Sequence, residues 1–263
     1  MFLLIIISTV ITALTVVFII GYIFIKGVPN LSLDLFSLKY SSSNQSMLPS
    51  IINTVYLTAL TLLLAVPIGI FSAIYLAEYS RKNSFFVKII NIANETLSGI
   101  PSIVYGLFGF LAFVISKKWG YSLLAGVITL AIMVLPLIIR TSQEAMLGVD
   151  NTFREASYGL GAGKLRTVFK IVLPSAMPGI LSGIILAIGR IVGETAALIY
   201  TAGTVPEAAT KLTSSSRTIS VHLYCLLNEG LYTEQAYANA VVLIVFVVII
   251  NALSNALAKK IMK

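Results

Sequence analysis

The chain is 263 residues long, 58% hydrophobic and 11% charged, with a mean hydropathy of +0.98. Those values exclude an ordinary soluble domain and indicate an integral membrane protein. A single Cys225 and a single His222 exclude an intramolecular disulfide, a cysteine metal site and zinc catalysis.

A hydrocarbon core about 30 Å thick needs roughly 20 mostly apolar residues to cross it. Six runs fit that need: about Leu3–Ile25, Ile51–Leu76, Ile100–Ile115, Ser122–Ile139, Gly179–Gly203 and Ala238–Leu257. The first is read as a retained span. No basic residue precedes it, it exceeds a signal-peptide core, and no small-residue cleavage site comes before Lys26-Gly27-Val28-Pro29. The loop Gly27–Ser50, rich in Ser and Asn, reads as a flexible connection. The third run is the least regular, since Asn91, Asn94 and Glu95 precede it and Pro101 interrupts it. Pro67 and Pro136 fall inside the second and fourth runs, where membrane helices tolerate bends only if protein or water covers the freed backbone. Small residues at Gly69, Gly106, Gly109, Gly179, Gly183 and Gly189 allow helices to approach closely, and ordinary bundle packing explains most of them. The expected fold is therefore an all-α membrane bundle forming one domain over residues 1–263.

Between the fourth and fifth runs lies a charged loop, about residues 140–178, carrying Arg154, Lys164, Arg166 and Lys170 around Glu155. Its Glu155-Ala156-Ser157, Gly161 and Ile171-x-Leu173-Pro174 are correctly spaced to resemble the EAA loop of permease subunits in bacterial ABC importers. One position departs, Ser157 for the usual second Ala, a small-for-small change. The resemblance implies the six-helix transmembrane domain of type I importer permeases, with both termini cytoplasmic. It also implies that Arg154, Glu155, Ala156, Gly161, Leu173 and Pro174 serve coupling to a cytoplasmic ATPase. With this loop inside, alternation puts eleven basic residues in the cytoplasm: Arg81, Lys82, Lys88, Arg140, Arg154, Lys164, Arg166, Lys170, Lys259, Lys260 and Lys263. Six fall outside: Lys26, Lys39, Lys117, Lys118, Lys211 and Arg217. The net charge of +8 thus reads as positive-inside bias rather than as a nucleic-acid surface. The glycines at Gly159, Gly161 and Gly163 before Lys164 do not form a phosphate loop, because Tyr158 and Leu165 stand where Gly and Ser or Thr are required.

The fifth run holds Arg190, its twelfth residue, near the membrane centre. Placing an arginine there costs about 2.5–3.5 kcal/mol on insertion scales, which marks it as a candidate functional site. Glu194 follows four residues later, on the same helical face one turn along. Either the two neutralise each other structurally or they serve transport. The planar guanidinium matches a tetrahedral oxyanion, and a nearby carboxylate would accept a bond from a protonated one, which favours phosphate over sulfate. Thr195 and Thr201 add hydroxyls, with back-bonding inside helices as the plainer explanation.

Gly189-Arg190-Ile191-Val192-Gly193-Glu194-Thr195-Ala196-Ala197 with Tyr200-Thr201-Ala202-Gly203 resembles the signature of phosphate importer permeases. Gly99-Ile100-Pro101-Ser102-Ile103-Val104-Tyr105-Gly106-Leu107-Phe108-Gly109 does so too, and Ser220-Val221-His222-Leu223-Tyr224 is similar to the A-type rather than the C-type subunit. This implies a substrate pathway through Arg190, Glu194 and Thr195 in the bacterial cytoplasmic membrane. It implies as partners a C-type permease, two copies of a cytoplasmic ATPase and an extracytoplasmic phosphate-binding protein. No cofactor is expected on this chain, ATP and Mg belonging to the ATPase, and no nucleic acid. Sulfate or molybdate import remains the nearest alternative, and an ATP-independent transporter a further one that would usually show inverted repeats. A hydrolase built on Ser220, His222 and Glu229 lacks any nucleophile motif.

Overall fold

The structure, a computed structural model, describes residues 2–80 and 84–261, and those residues form helices and loops without strands. Arg81, Lys82 and Lys263 of the cytoplasmic basic set lie outside the described residues. Among the described residues five helices are long and apolar enough to cross a membrane, six when a bent pair is counted as one span. An even number of crossings returns both ends of the chain to the side of the charged loop.

The first crossing, α1 (Phe2–Gly27), is apolar all round. The hydroxyls of Ser8, Thr9, Thr12 and Thr15 each donate to the carbonyl four residues back, so these four are not left open to lipid. The second crossing is α2 (Leu48–Ile74), which continues through wide π-type turns at Tyr75–Tyr79. The third is broken. α3 (Phe85–Gly99) and α4 (Ser102–Gly109) meet at 101° across Ile100 and Pro101, whose ψ angles of 131° and 141° are extended. Proline lacks a donor and pushes the residue before it out of the helical region, which explains the position of the break. The fourth crossing, α5 (Leu123–Leu147), starts at Ser122, whose Oγ accepts from the Ala125 N–H at 3.3 Å.

Two short helices form the charged loop, α6 (Asn151–Gly159) and α7 (Lys164–Thr167). After π-type turns at Val168–Val172 comes the fifth crossing, α8 (Leu173–Gly193). The expected span Gly179–Gly203 is corrected at both ends. The helix begins at Leu173, and it stops at Gly193 because Glu194 turns extended with ψ 131°. A separate α9 (Ala196–Thr201) follows. Only Glu194 and Thr195 interrupt the apolar composition at this break, too few to take the run out of the hydropathy range of a span, so hydropathy alone hides it. On the outer side lies α10 (Ile219–Glu229), capped by Thr218, and α11 (Thr233–Ile261) makes the sixth crossing.

α2 lies along α5, and α5 along α8. Between them is the main core, with Leu57, Leu130, Met133, Val134, Ile138, Ala187 and Ile191 buried. A second cluster, Ile74, Met146, Val168, Val172 and Ile180, closes the cytoplasmic end. Gly69 lies against Ile138 and Gly179 against Ala145, where an added Cβ would come within 2.6 Å of each neighbour. These small residues serve helix packing.

Candidate functional site

The two broken crossings are packed against each other. α4 lies on α9, and a Cβ on Gly106 would fall 2.8 Å from the Ala197 Cα. The Gly99–Gly109 and Gly189–Gly203 stretches, 90 positions apart in the sequence, therefore meet through α4 and α9, the helices that follow their breaks. Each break has its freed carbonyls answered locally, as membrane burial requires. Tyr105 donates its hydroxyl to the Leu97 carbonyl at 2.8 Å across the first. At the second, Ser220 Oγ from α10 lies 3.0 Å from both the Val192 and the Glu194 carbonyls. The role of Ser220 escaped sequence reasoning, because its partners are 28 and 26 residues away.

Arg190 sits on the last turn of α8, half-buried and close enough to Tyr105 for its charge to act on that ring. Among the described residues no carboxylate lies within ion-pair distance of it. Glu194 is not one helical turn along the same face, as a continuous helix would have put it. It is buried at the break, and its Oε1 accepts the Ala197 N–H at 3.0 Å, capping α9. The extended conformation of Glu194 aims its side chain forward onto α9 instead of back at Arg190. Thr195 is half-buried beside it, its hydroxyl 3.4 Å from the Gly193 carbonyl, and Thr201 back-bonds to the Ala197 carbonyl at 2.8 Å. Gly189 and Gly193 have nothing within 4 Å of where a Cβ would stand. They leave open space along the end of α8 that carries Arg190.

In the cytoplasmic loop, Asp150 caps α6, its Oδ1 accepting from the Thr152 N–H and hydroxyl at 2.9 Å each. Those bonds stabilise the charged carboxylate and hold the Asp150 pKa below its usual value. Glu155 and Ala156 are exposed, as are Tyr158, Leu160, Leu165 and Phe169. Ser157 is buried and shares a 2.8 Å hydrogen bond with Thr167, which ties α6 to α7. The turn between those helices passes through Gly161 at φ +81°, a left-handed conformation that suits glycine. A groove of about 250 Å³ beside the turn is lined by Leu160, Gly161, Arg166 and Lys170 among others. Leu173 and Pro174 follow the π-type turns at the start of α8, Leu173 against the second apolar cluster and Pro174 exposed. Arg154 differs from its neighbours. Its guanidinium is turned into the protein, 2.6 Å from Glu78 at the end of α2.

On the outer side, Asn53 of α2 holds the loop before α10. Its Nδ2 donates to the Glu207 and Arg217 carbonyls at 3.0 and 3.1 Å, and its Oδ1 accepts the Ala209 N–H at 2.8 Å.

A bundle of six crossings with two broken helices back to back, an intramembrane arginine beside open space, and an amphipathic helical loop at the cytoplasmic end defines a translocation subunit of the ABC importer type. The fold agrees with solved structures of that kind. A chain of the bacterial alginate ABC transporter, crystallised with its alginate-bound periplasmic protein, superposes with a TM-score of 0.72 at 16% identity, over 98% of this chain and 95% of the other. A chain of the inward-facing MetNI methionine ABC transporter gives 0.61 at 16% identity, over 82% and 94%. Residues 65–263 match the model of the binding-protein-dependent transport system inner membrane component family, and the chain belongs to that family of multi-pass inner-membrane translocation components. It is 33% identical over 261 residues to the probable ABC transporter permease protein YqgI of Bacillus subtilis (strain 168), covering 92% of this chain and 88% of the relative. It is 35% identical over 230 residues to the phosphate transport system permease protein PstA of Pasteurella multocida (strain Pm70), covering 86% and 81%.

Proposed function

We propose that this chain is the A-type permease subunit of an ATP-driven importer that carries inorganic phosphate across the cytoplasmic membrane. Its partners are a C-type permease, two copies of a cytoplasmic ATPase that binds the ATP and Mg, and an extracytoplasmic phosphate-binding protein. The observation that carries the oxyanion part of this reading is Arg190. A half-buried guanidinium in the membrane has no carboxylate partner among the described residues, because Glu194 is engaged in capping α9. An unpaired charge in such a place is costly unless something else compensates it, and a passing oxyanion does so bidentately. The same geometry weakens one argument for phosphate over sulfate, since Glu194 is not turned toward Arg190 to accept a phosphate proton. The choice of phosphate therefore rests on the similarity to phosphate permeases over most of the chain.

Transport follows an alternating-access cycle. ATP binding closes the ATPase pair and draws the α6–α7 loops of the two permeases together, opening the pathway outward to receive phosphate. Hydrolysis and release reset it inward. Arg190 provides a transient station, because an ion held tightly would not leave.

The test is ATP-dependent phosphate uptake by the full complex in proteoliposomes, wild type against Arg190→Gln, with sulfate and molybdate as competitors. Loss of one charge-assisted contact, about 1.5–3 kcal/mol, predicts a fall of roughly 10–100-fold in uptake by the assembled variant. Normal uptake by the variant would make Arg190 a structural charge. Competition by sulfate as effective as by phosphate would reassign the substrate.

A further inference from the structure

We propose that Glu78 and Arg154 form the joint through which the cytoplasmic helix α6 moves α2. The inference rests on the importer reading above and adds a residue pair to it. Arg154 lies in the middle of α6, the helix facing the ATPase on that reading, yet its side chain points into the permease. Nη2 and Nε approach Glu78 Oε1 at 2.6 and 3.1 Å. Nη2 also donates to the Met146 carbonyl at 2.8 Å, and Nη1 to the Val149 carbonyl at 2.7 Å. One guanidinium thus grips the end of α2, the last carbonyls of α5 and the turn that starts α6. The two charged side chains are only 13% and 6% exposed, so solvent screens the pair little.

Glu78 sits within the π-type turns that finish α2, and its neighbour Tyr79 is held as well. The Lys164 ammonium of α7 stands 5.0 Å from the Tyr79 ring centroid. Because Ser157 and Thr167 join α6 to α7, the two short helices hold the end of α2 at adjacent residues as one unit. From there the route inward is continuous. α2 packs along α5, α5 along α8, and α8 carries Arg190 on its last turn. An apolar contact at this place would let α6 slide. A guanidinium held at once by the Glu78 carboxylate and the Met146 and Val149 carbonyls is fixed in direction as well as distance, which a lever needs and a docking surface does not.

Arg154 and Glu78 are positioning residues, so the test must separate a joint from a simple brace. Full complexes are reconstituted in proteoliposomes with wild type, Arg154→Lys, the reversed pair Glu78→Arg with Arg154→Glu, and the apolar pair Glu78→Leu with Arg154→Met. Phosphate moved per ATP hydrolysed is measured on the assembled fraction. The apolar pair removes both buried charges together, so no uncompensated charge is left to unfold it. A joint predicts that Arg154→Lys and the apolar pair assemble but move about tenfold less phosphate per ATP, with partial recovery in the reversed pair. A brace predicts less assembled complex at the wild-type ratio, and that result in the apolar pair overturns the proposal. Failure of the wild-type complex to import phosphate at all would instead overturn the substrate reading.

Discussion

His222 and Arg217 show how single residues in the outer loop are held at odds with their chemistry. His222 is fully buried on α10, edge-on to the Tyr40 ring at 6.2 Å, and neither ring nitrogen finds a hydrogen-bond partner among the described residues. Arg217 is 4% exposed, its guanidinium 4.7 Å from the centre of the same ring, with Nε and Nη2 unpartnered. Burial, and then the charge of Arg217, push the His222 pKa down from 6.5 to about 3. His222 is therefore neutral in the folded protein at any physiological pH. The unfolded chain binds the proton more readily, so the stability contributed by neutral His222 is complete above pH 6.5. It is lost progressively as pH falls from there toward about 3. At pH 5 that loss reaches about 2 kcal/mol. The melting midpoint of the purified complex should fall between pH 7 and pH 5, and His222→Phe, which keeps an aromatic body without the titration, should flatten that slope. An unchanged slope in the variant would place the acid sensitivity elsewhere.

At the scale of elements, the two breaks are the organising feature, and they were not equally visible in the sequence. Pro101 announced the first. The second falls at Gly193-Glu194-Thr195 inside an apolar run that reads as one span, because hydropathy reports burial and not ψ. A continuous helix puts Glu194 one turn from Arg190, whereas the break turns it to cap α9. The EAA spacing identified the coupling loop, yet nothing in a nine-residue helix says which side faces inward. Glu78 is 76 residues from Arg154, so their contact exists only once α2, α5 and α6 are folded together. The glycines around the breaks divide accordingly. Gly106 abuts the Ala197 backbone, and Gly189 faces open space. Gly106→Leu should force α4 from α9, costing about 1–3 kcal/mol as overpacking and lowering the yield of assembled complex. At Gly189 an added Cβ meets no neighbour, and Gly189→Leu gains helix propensity, about 1 kcal/mol over glycine. It should assemble at the wild-type level and slow uptake several-fold by filling the space beside Arg190. Normal uptake by Gly189→Leu would show that the open side of α8 does not border the pathway.

Over the whole molecule, burial is distributed unevenly. The window that defines α5 as a crossing is 61% buried, and those of α11 and α1 are 6% and 0%. The packed body is α2, α5 and α8 with the broken helices, and α1 leans on α11 at its edge. α1 therefore depends on lipid or on another subunit for most of its cover, which its closed hydroxyls permit. α1 abuts α11 at Gly27, where a Cβ would fall 2.8 Å from the Tyr237 carbonyl carbon and 2.6 Å from a Val241 methyl. Tyr22 and Tyr237 pack edge to face one turn away, their ring centroids 6.0 Å apart. Gly27→Leu should wedge α1 off α11 without reaching the α2–α5–α8 core, since none of the atoms it displaces belongs to those helices. In a Cys225→Ser background, cysteines replacing Tyr22 and Tyr237 should be joined by a short bifunctional thiol reagent, and the added Gly27→Leu should abolish that cross-link. The melting midpoint should move little, because the buried core is untouched. A large fall in melting would mean that α1 is integral to the folded body, and the division between packed core and peripheral pair would fail.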